Sequence, residues 1–301
     1  MESLCDDPIL KFNKDVLQDL RKAYNLDKPE ALKAAIDNLE EWAMKQNHFR
    51  KKDFGRDYLE RTLIANKGSV EKSKGKIDKL CTLRGLMPKY FGNYDLKKDY
   101  DFEGIVFHAI LPKMTSNNTR VYLMKNYGQR FKSNFVDYLK AKDYSDGIAF
   151  VFDYTQVNLT ELAMKMSLIE MKELYTILVD GYNTRIAGIH FISSSKLIEL
   201  IVTLFKKMLS EKLGKRIAVH ADIYSLHKHL PKDILPSDYG GPEKSLKELH
   251  YEWVEVLTTK EATEFRASMA SATTDEALRP RDKFNEEYMG MPGSFRSFNL
   301  D

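Results

Sequence analysis

Between Ile148 and Ala221 the chain alternates apolar runs with helical periods. Ile148 to Phe152 is followed by the helical stretch Thr160 to Val179, then Ile186 to Ile192, the helical stretch Lys196 to Leu213, and Arg216 to Ala221. Runs with no polar face have no solvent side, and strands separated by helical crossovers pair in parallel. The order therefore predicts an α/β domain on a mostly parallel sheet. Val106 to Leu111 and Val121 to Met124, separated by the turn-rich stretch Thr115 to Thr119, read as two further short strands that can pair.

Ahead of this region the grammar is helical. Leu32, Ile36, Leu39 and Ala43 keep a 3.6-residue period, as do Tyr58, Leu59, Leu63 and Ile64, so Pro29 to about Tyr90 reads as a small helical bundle. Phe91 to Tyr100, with Gly92 and Asn93, marks the change. The expected organisation is a helical part over 1–92, the α/β domain over 93–257 and a polar tail over 258–301, whose Phe295 and Phe298 suggest docking on the body.

Composition narrows the function. Lys and Arg number 47 against 44 Asp and Glu, a net +3 too balanced to propose nucleic acid as a partner from bulk charge. The two cysteines, Cys5 and Cys81, make no disulfide framework, and no basic segment with an apolar run opens the chain, which reads as cytoplasmic. No apolar run approaches the ~18 residues of a membrane span, so membrane contact is expected to be peripheral. The Asn-x-Thr triplets at Asn117 and Asn158 then carry no glycan.

Catalysis finds no support. Nucleophile-elbow, dinucleotide, phosphate-loop and zinc-peptidase motifs are all missing from the sequence. His227 and His229 lack companion ligands, so no metal or cofactor is expected. His190 and His220 lie in strand-like runs and read as satisfied core groups. Asp153 ends its strand where α/β active sites often lie, yet no nucleophile or second acid accompanies it.

The helical stretch Lys196 to Leu213 carries two adjacent apolar stripes, Leu197, Ile201, Leu204 and Met208 beside Ile198, Val202, Phe205 and Leu209. The stretch from Thr160 carries Met164, Leu168, Met171, Tyr175 and Leu178 along one line, with Leu162, Met166 and Ile169 along a second. Periodicity alone fits a packed crossover and a pocket wall equally well.

Motifs supply what periodicity does not. Asp180-Gly181-Tyr182-Asn183-Thr184-Arg185-Ile186-Ala187-Gly188-Ile189-His190-Phe191-Ile192 resembles the central signature of the CRAL-TRIO lipid-binding family. Glu211 to Ile217 resembles that family's lid-end motif, and Leu226 with Leu235-Pro236-Ser237-Asp238-Tyr239-Gly240-Gly241 its closing motif. The helical part is similar to the module that precedes the domain, and Gly293 to Asp301 is similar to tails of arthropod, tocopherol-transfer-like members.

The resemblance implies a mostly parallel sheet flooring an apolar pocket closed by a mobile lid helix, here about Ser193 to Leu209. Pocket positions would be Ile148, Phe150, Phe152, Leu174, Ile177, Leu178, Tyr182 and Ile189, with Leu197, Ile201, Val202 and Phe205 from the lid. It implies a non-enzymatic carrier of a tocopherol- or retinoid-like lipid that binds phosphoinositide-containing membranes through Arg185, Lys212, Lys215 and Arg216. Phospholipid exchange and a phosphoinositide-sensing adaptor without cargo are the alternatives. Three departures stand out. Asn183 replaces the usual proline, Ser193-Ser194-Ser195 replaces the lid-opening motif, and the segment between the Val121 strand and Gly147 is shorter than usual. The helical module's cationic position, moreover, falls at Asn66.

Overall fold

Among the residues that the computed structural model describes, namely 4, 7–91, 106–125 and 134–280, the doubly apolar runs form the interior of one sheet. Its strands are β1 (Phe107–Ile110), β2 (Thr119–Lys125), β3 (Gly147–Asp153), β4 (Ile186–Ile192) and β5 (Ile217–His220), side by side in chain order. β1 runs antiparallel to β2 and the remaining pairs are parallel, as the sequence order predicts. The register aligns Tyr122, Phe150, Ile189 and Ile217 across β2 to β5. Because side chains alternate along strands, that row and the row Met124, Phe152, Phe191, Val219 share one face. His190, Val151 and Leu123 lie on the other.

The helical part contains α1 (Val16–Ala23), α2 (Pro29–Lys45), α3 (Arg56–Ala65), α4 (Val70–Leu86) and the short α5 (Pro88–Phe91). Pro29 opens α2 at a position where the missing N–H costs nothing, and the Ser69 hydroxyl caps α4 by accepting from Lys72 N. Leu39, Ala43, Leu59, Leu63 and Cys81 bury the facing stripes. The boundary residues Gly92 and Asn93 lie outside the described residues, as do Phe295 and Phe298 and much of the shortened segment before Gly147.

Two stretches expected as single helices are broken. The first gives α7 (Leu159–Lys165) and α8 (Leu168–Tyr175), followed by a π turn over Thr176–Gly181; α6 (Asn134–Lys142) precedes β3. At the break the Ser167 hydroxyl accepts from Glu170 N, so the chain stops at extended Met166 and restarts. The second gives α9 (Ile198–Met208) and α10 (Glu211–Gly214), the latter capped by the Ser210 hydroxyl. Ser195 Oγ accepts from Leu197 N at 3.3 Å, so serine supports the turn that leads into α9.

α11 (Ile223–Leu226) follows β5, and α12 (Leu246–Leu257) lies against β1, with Trp253 fully buried and its indole N–H donating to Ile110 O at 2.8 Å. The motif Tyr239-Gly240-Gly241 has a local cause. Gly240 has φ +75°, and a Cβ on Gly241 would lie 1.9 Å from Leu235 O.

Of the segment after Thr258, expected as a polar tail, the described residues up to 280 include a helix and dock on the bundle. α13 (Lys260–Ala270) sends Met269 and Phe265 into the bundle core, Phe49 bridges Thr274, and Arg279 pairs with Asp78 at 2.7 Å. The bundle also holds the α/β domain through buried charge. Asp137 of α6 accepts from Arg84 of α4 at 2.8 Å and from Tyr182 Oη at 2.6 Å. Arg120, fully buried in β2, donates to Asp143 and to the carbonyls of Lys11 and Pro112.

Candidate functional site

Aromatic side chains gather on the sheet face that carries Phe150. Ring centres lie 5.7 Å apart for Tyr122 and Phe150, 6.2 Å for Phe150 and Phe152, and 5.4 Å for Phe152 and Phe191. α9 covers this face: Phe205 meets Phe191 edge-on at 5.3 Å, and Ile198, Ile201 and Val202 are buried in the same cluster. An amphipathic helix resting on an aromatic floor presents apolar surface on both sides of one seam.

The pocket positions named from sequence divide in two. Ile148, Phe150, Phe152, Ile189, Ile201, Val202 and Phe205 share the sheet cluster. Leu174, Ile177 and Tyr182 pack instead with Leu80, Leu83 and Phe91 at the bundle junction, and Leu178 touches both. Leu197 is 47% exposed, and Ile198 takes the buried position beside it. The helical period could not distinguish these two neighbours, because α9 begins later than expected. Leu200, Met164, Leu168 and Ile169 are further large apolar side chains left exposed on α7, α8 and α9.

A second feature lies where the bundle meets the sheet, a cleft of about 320 Å³ that brings together Arg185, Lys212 and Arg216. Lys215 is not part of its lining and pairs with Glu211 at 2.7 Å in solvent. Arg185 is neutralised by an ion pair with Asp146. Arg216 donates to Ile186 O, which fixes it beside the start of β4. Sequence reasoning missed Arg61, Lys67 and Lys140, which line the same cleft. Arg61 donates to Lys140 O at 2.9 Å and lies over the Tyr144 ring. Burial, together with Arg61 and Arg84, pushes the Lys140 ammonium down to about 7. Asn66 is buried and bonded to Asn183, so it stands as a structural link between α3 and the loop before β4.

On the opposite sheet face His190 Nδ1 and His220 Nε2 share a hydrogen bond of 3.0 Å, and the His229 ring lies 5.0 Å from that of His220. Burial, then the neighbouring imidazoles, pushes His190 down to about 4. Asp153 accepts from Tyr239 Oη at 2.7 Å and from Thr155 Oγ1 at 2.6 Å, so its carboxylate is engaged structurally. Among the described residues no group of three or more His, Cys, Asp or Glu is arranged to hold a metal, and no helix is long and apolar enough to cross a membrane.

Comparison with known proteins agrees with this architecture. Residues 113–241, spanning β2 to the Tyr239-Gly240-Gly241 turn, match the CRAL/TRIO domain. Alpha-tocopherol transfer protein-like of Mus musculus and of Homo sapiens are each 35% identical over 97 residues, 32% of this chain and 28% of theirs. Clavesin-2 of Rattus norvegicus is 30% identical over 97 residues, 32% of this chain and 29% of its own. The matched stretch thus spans under a third of these curated relatives. The crystal structure of Sfh5 superposes with a TM-score of 0.45 at 14% identity, covering 86% of this chain and 97% of that one. The chain carries a CRAL/TRIO domain, and its α/β fold behind a helical N-terminal part is the one the motifs led us to expect.

Proposed function

We propose that this protein carries one compact hydrophobic lipid, tocopherol- or retinoid-like, between the aromatic sheet face and α9, and exchanges it with anionic, phosphoinositide-containing membranes. The observation that carries this reading is the seam itself. Phe205 of a single amphipathic helix meets Phe191 of the aromatic face that also carries Tyr122, Phe150 and Phe152, and Ile198, Ile201 and Val202 of the same helix are buried in the surrounding core. The names of the tocopherol transfer protein-like relatives support the same ligand class.

Lifting α9 in water exposes Ile198, Ile201, Val202 and Phe205, at a cost on the order of 8 kcal/mol. Closure therefore dominates in solution. With Arg185 already paired to Asp146, Lys212 and Arg216 offer about 1 kcal/mol each near an anionic surface. Charge locates the protein on the membrane and does not open it. Insertion of Leu197 and Leu200, both exposed, with the uncovered face of α9 into the bilayer boundary recovers the remainder.

Organic extraction of the purified protein followed by mass spectrometry tests the reading. A stoichiometric isoprenoid-type lipid is expected. A bound phospholipid would replace it with phospholipid exchange. Failure of the protein to take up any added lipid, with vesicle binding retained, would leave a phosphoinositide-sensing adaptor, a reading that the basic cleft favours.

A further inference from the structure

The sheet face that carries Phe150 is hydrocarbon through most of its middle rows, with Met124, Phe152, Ile189 and Phe191 as neighbours. Two polar side chains interrupt it. Tyr122 of β2 stands beside Phe150 in the register, and its hydroxyl lies 2.9 Å from Nδ1 of His108, which β1 places opposite Met124 on the same face. Among the described strand residues on this face Arg120 alone is charged, and its guanidinium is committed to Asp143. Tyr122, Met124 and Phe152 are each only half-buried although β2 and β3 lie inside the sheet, so this part of the face keeps accessible surface.

A hydroxyl on an apolar floor costs free energy unless it is bonded, and the imidazole of His108 supplies a partner. Burial, then the neighbouring His250 imidazole, push His108 down to about 3, so the ring is neutral at ordinary pH. The pair therefore offers hydrogen bonds and no charge. A phenol carries one donor and two acceptor sites, so its bond to His108 leaves it the capacity to meet a ligand hydroxyl or carbonyl. A carboxylate brought to the same place would lose its water with no cation to receive it.

We infer that Tyr122 selects the polar end of the cargo, and that this end is an uncharged terminal oxygen, a hydroxyl or a carbonyl. His108 acts through Tyr122 as a positioning residue that orients the phenol. The inference rests on the carrier reading above and narrows it. A pure hydrocarbon lacks the partner, and a lipid acid brings a charge that this face does not meet.

Equilibrium titration of the full chain tests this. The probes are all-trans-retinol and α-tocopherol, each beside the counterpart that lacks its terminal oxygen, with retinoic acid as the charged analogue. For whichever of the two the wild-type protein takes up, Tyr122→Phe is expected to weaken binding roughly tenfold while moving the deoxygenated counterpart by no more than about twofold. His108→Phe should shrink the same ratio about threefold, a change in selectivity that general destabilisation would not produce. Retinoic acid is expected to bind the wild-type protein at least about tenfold more weakly than the neutral probe. That last comparison needs no variant, so the inference stays open to refutation if Tyr122→Phe folds poorly. Equal losses for oxygenated and deoxygenated probes, or undiminished affinity for both in Tyr122→Phe, would overturn the inference and leave the carrier reading in place. Retinoic acid binding as tightly as the neutral probe would do the same. If the wild-type protein takes up neither retinol nor α-tocopherol, the carrier reading falls and this inference with it.

Discussion

The side-chain amide of Asn183 donates to Asn66 Oδ1 at 3.1 Å and to Ala65 O at 2.6 Å, joining two positions at which this chain departs from the signature it resembles. Asn183 also has φ 55°, in the left-handed region that asparagine tolerates and proline cannot enter. The two departures are therefore one structural solution.

Restoring the signature proline at this position should harm this chain. Asn183→Pro removes both hydrogen bonds and forces a forbidden φ, with an expected loss of about 3 kcal/mol or more in denaturant unfolding. Asn183→Gly, which keeps the backbone, should lose only about 1 kcal/mol.

Stability should fall as the solution is acidified, with His190 a principal cause. Its folded value is depressed to about 4, so the native imidazole stays neutral while the unfolded one protonates through ~6.5. The group's contribution is neutral above the unfolded value and becomes a penalty as pH falls from there toward 4, reaching about 3 kcal/mol. Unfolding free energies at several pH values should show this decline, and His190→Gln should flatten it between those limits. The His220 value is also lowered, so some acid sensitivity will persist.

Removing Arg120 should be more damaging than any surface change. Arg120→Met leaves the Asp143 carboxylate buried without its guanidinium, and strips the Lys11 and Pro112 carbonyls of their donor. The expected cost is about 3 to 5 kcal/mol in chemical denaturation. Pairing it with Asp143→Leu should recover part of that loss, because no charge then remains unpaired.

Gly241→Ala places a methyl group where Leu235 O already sits. An expected loss of roughly 2 to 4 kcal/mol, read as a fall in melting temperature, would trace to backbone collision and not to a lost contact.

Lys212→Glu should slow lipid transfer to anionic vesicles several-fold and leave transfer to neutral ones and lipid capacity in solution unchanged. The residue is exposed and has no ion-pair partner among the described residues, so stability should not change measurably. Equal rates on both vesicle types before and after the change would remove the cleft from the exchange step.

The strands were legible because β3 and β4 are apolar on both faces, and the run Ile186 to Ile192 is the observed strand β4. The interruptions at Ser167 and Ser210 were not, since a hydroxyl that caps a helix from inside an apolar period looks like one more polar position. The π turn ends where Gly181 approaches Leu83 of α4, a tertiary event with no local mark. α13 was hidden by Lys260, Glu261 and Glu264, which make the segment look solvated although Phe265 and Met269 bury against the bundle. Arg61 and Lys67 belong to the cleft only because the bundle folds back onto the sheet, which no spacing in the chain records.

Asp137 receives a guanidinium from one part of the chain and a phenol from the other. Expressing residues 93–257 in isolation would leave that carboxylate at a freshly cut apolar surface without its guanidinium partner. The helical segment thus acts as a partner that happens to be covalently attached, and supplying it as a separate polypeptide should restore solubility to the truncated α/β half.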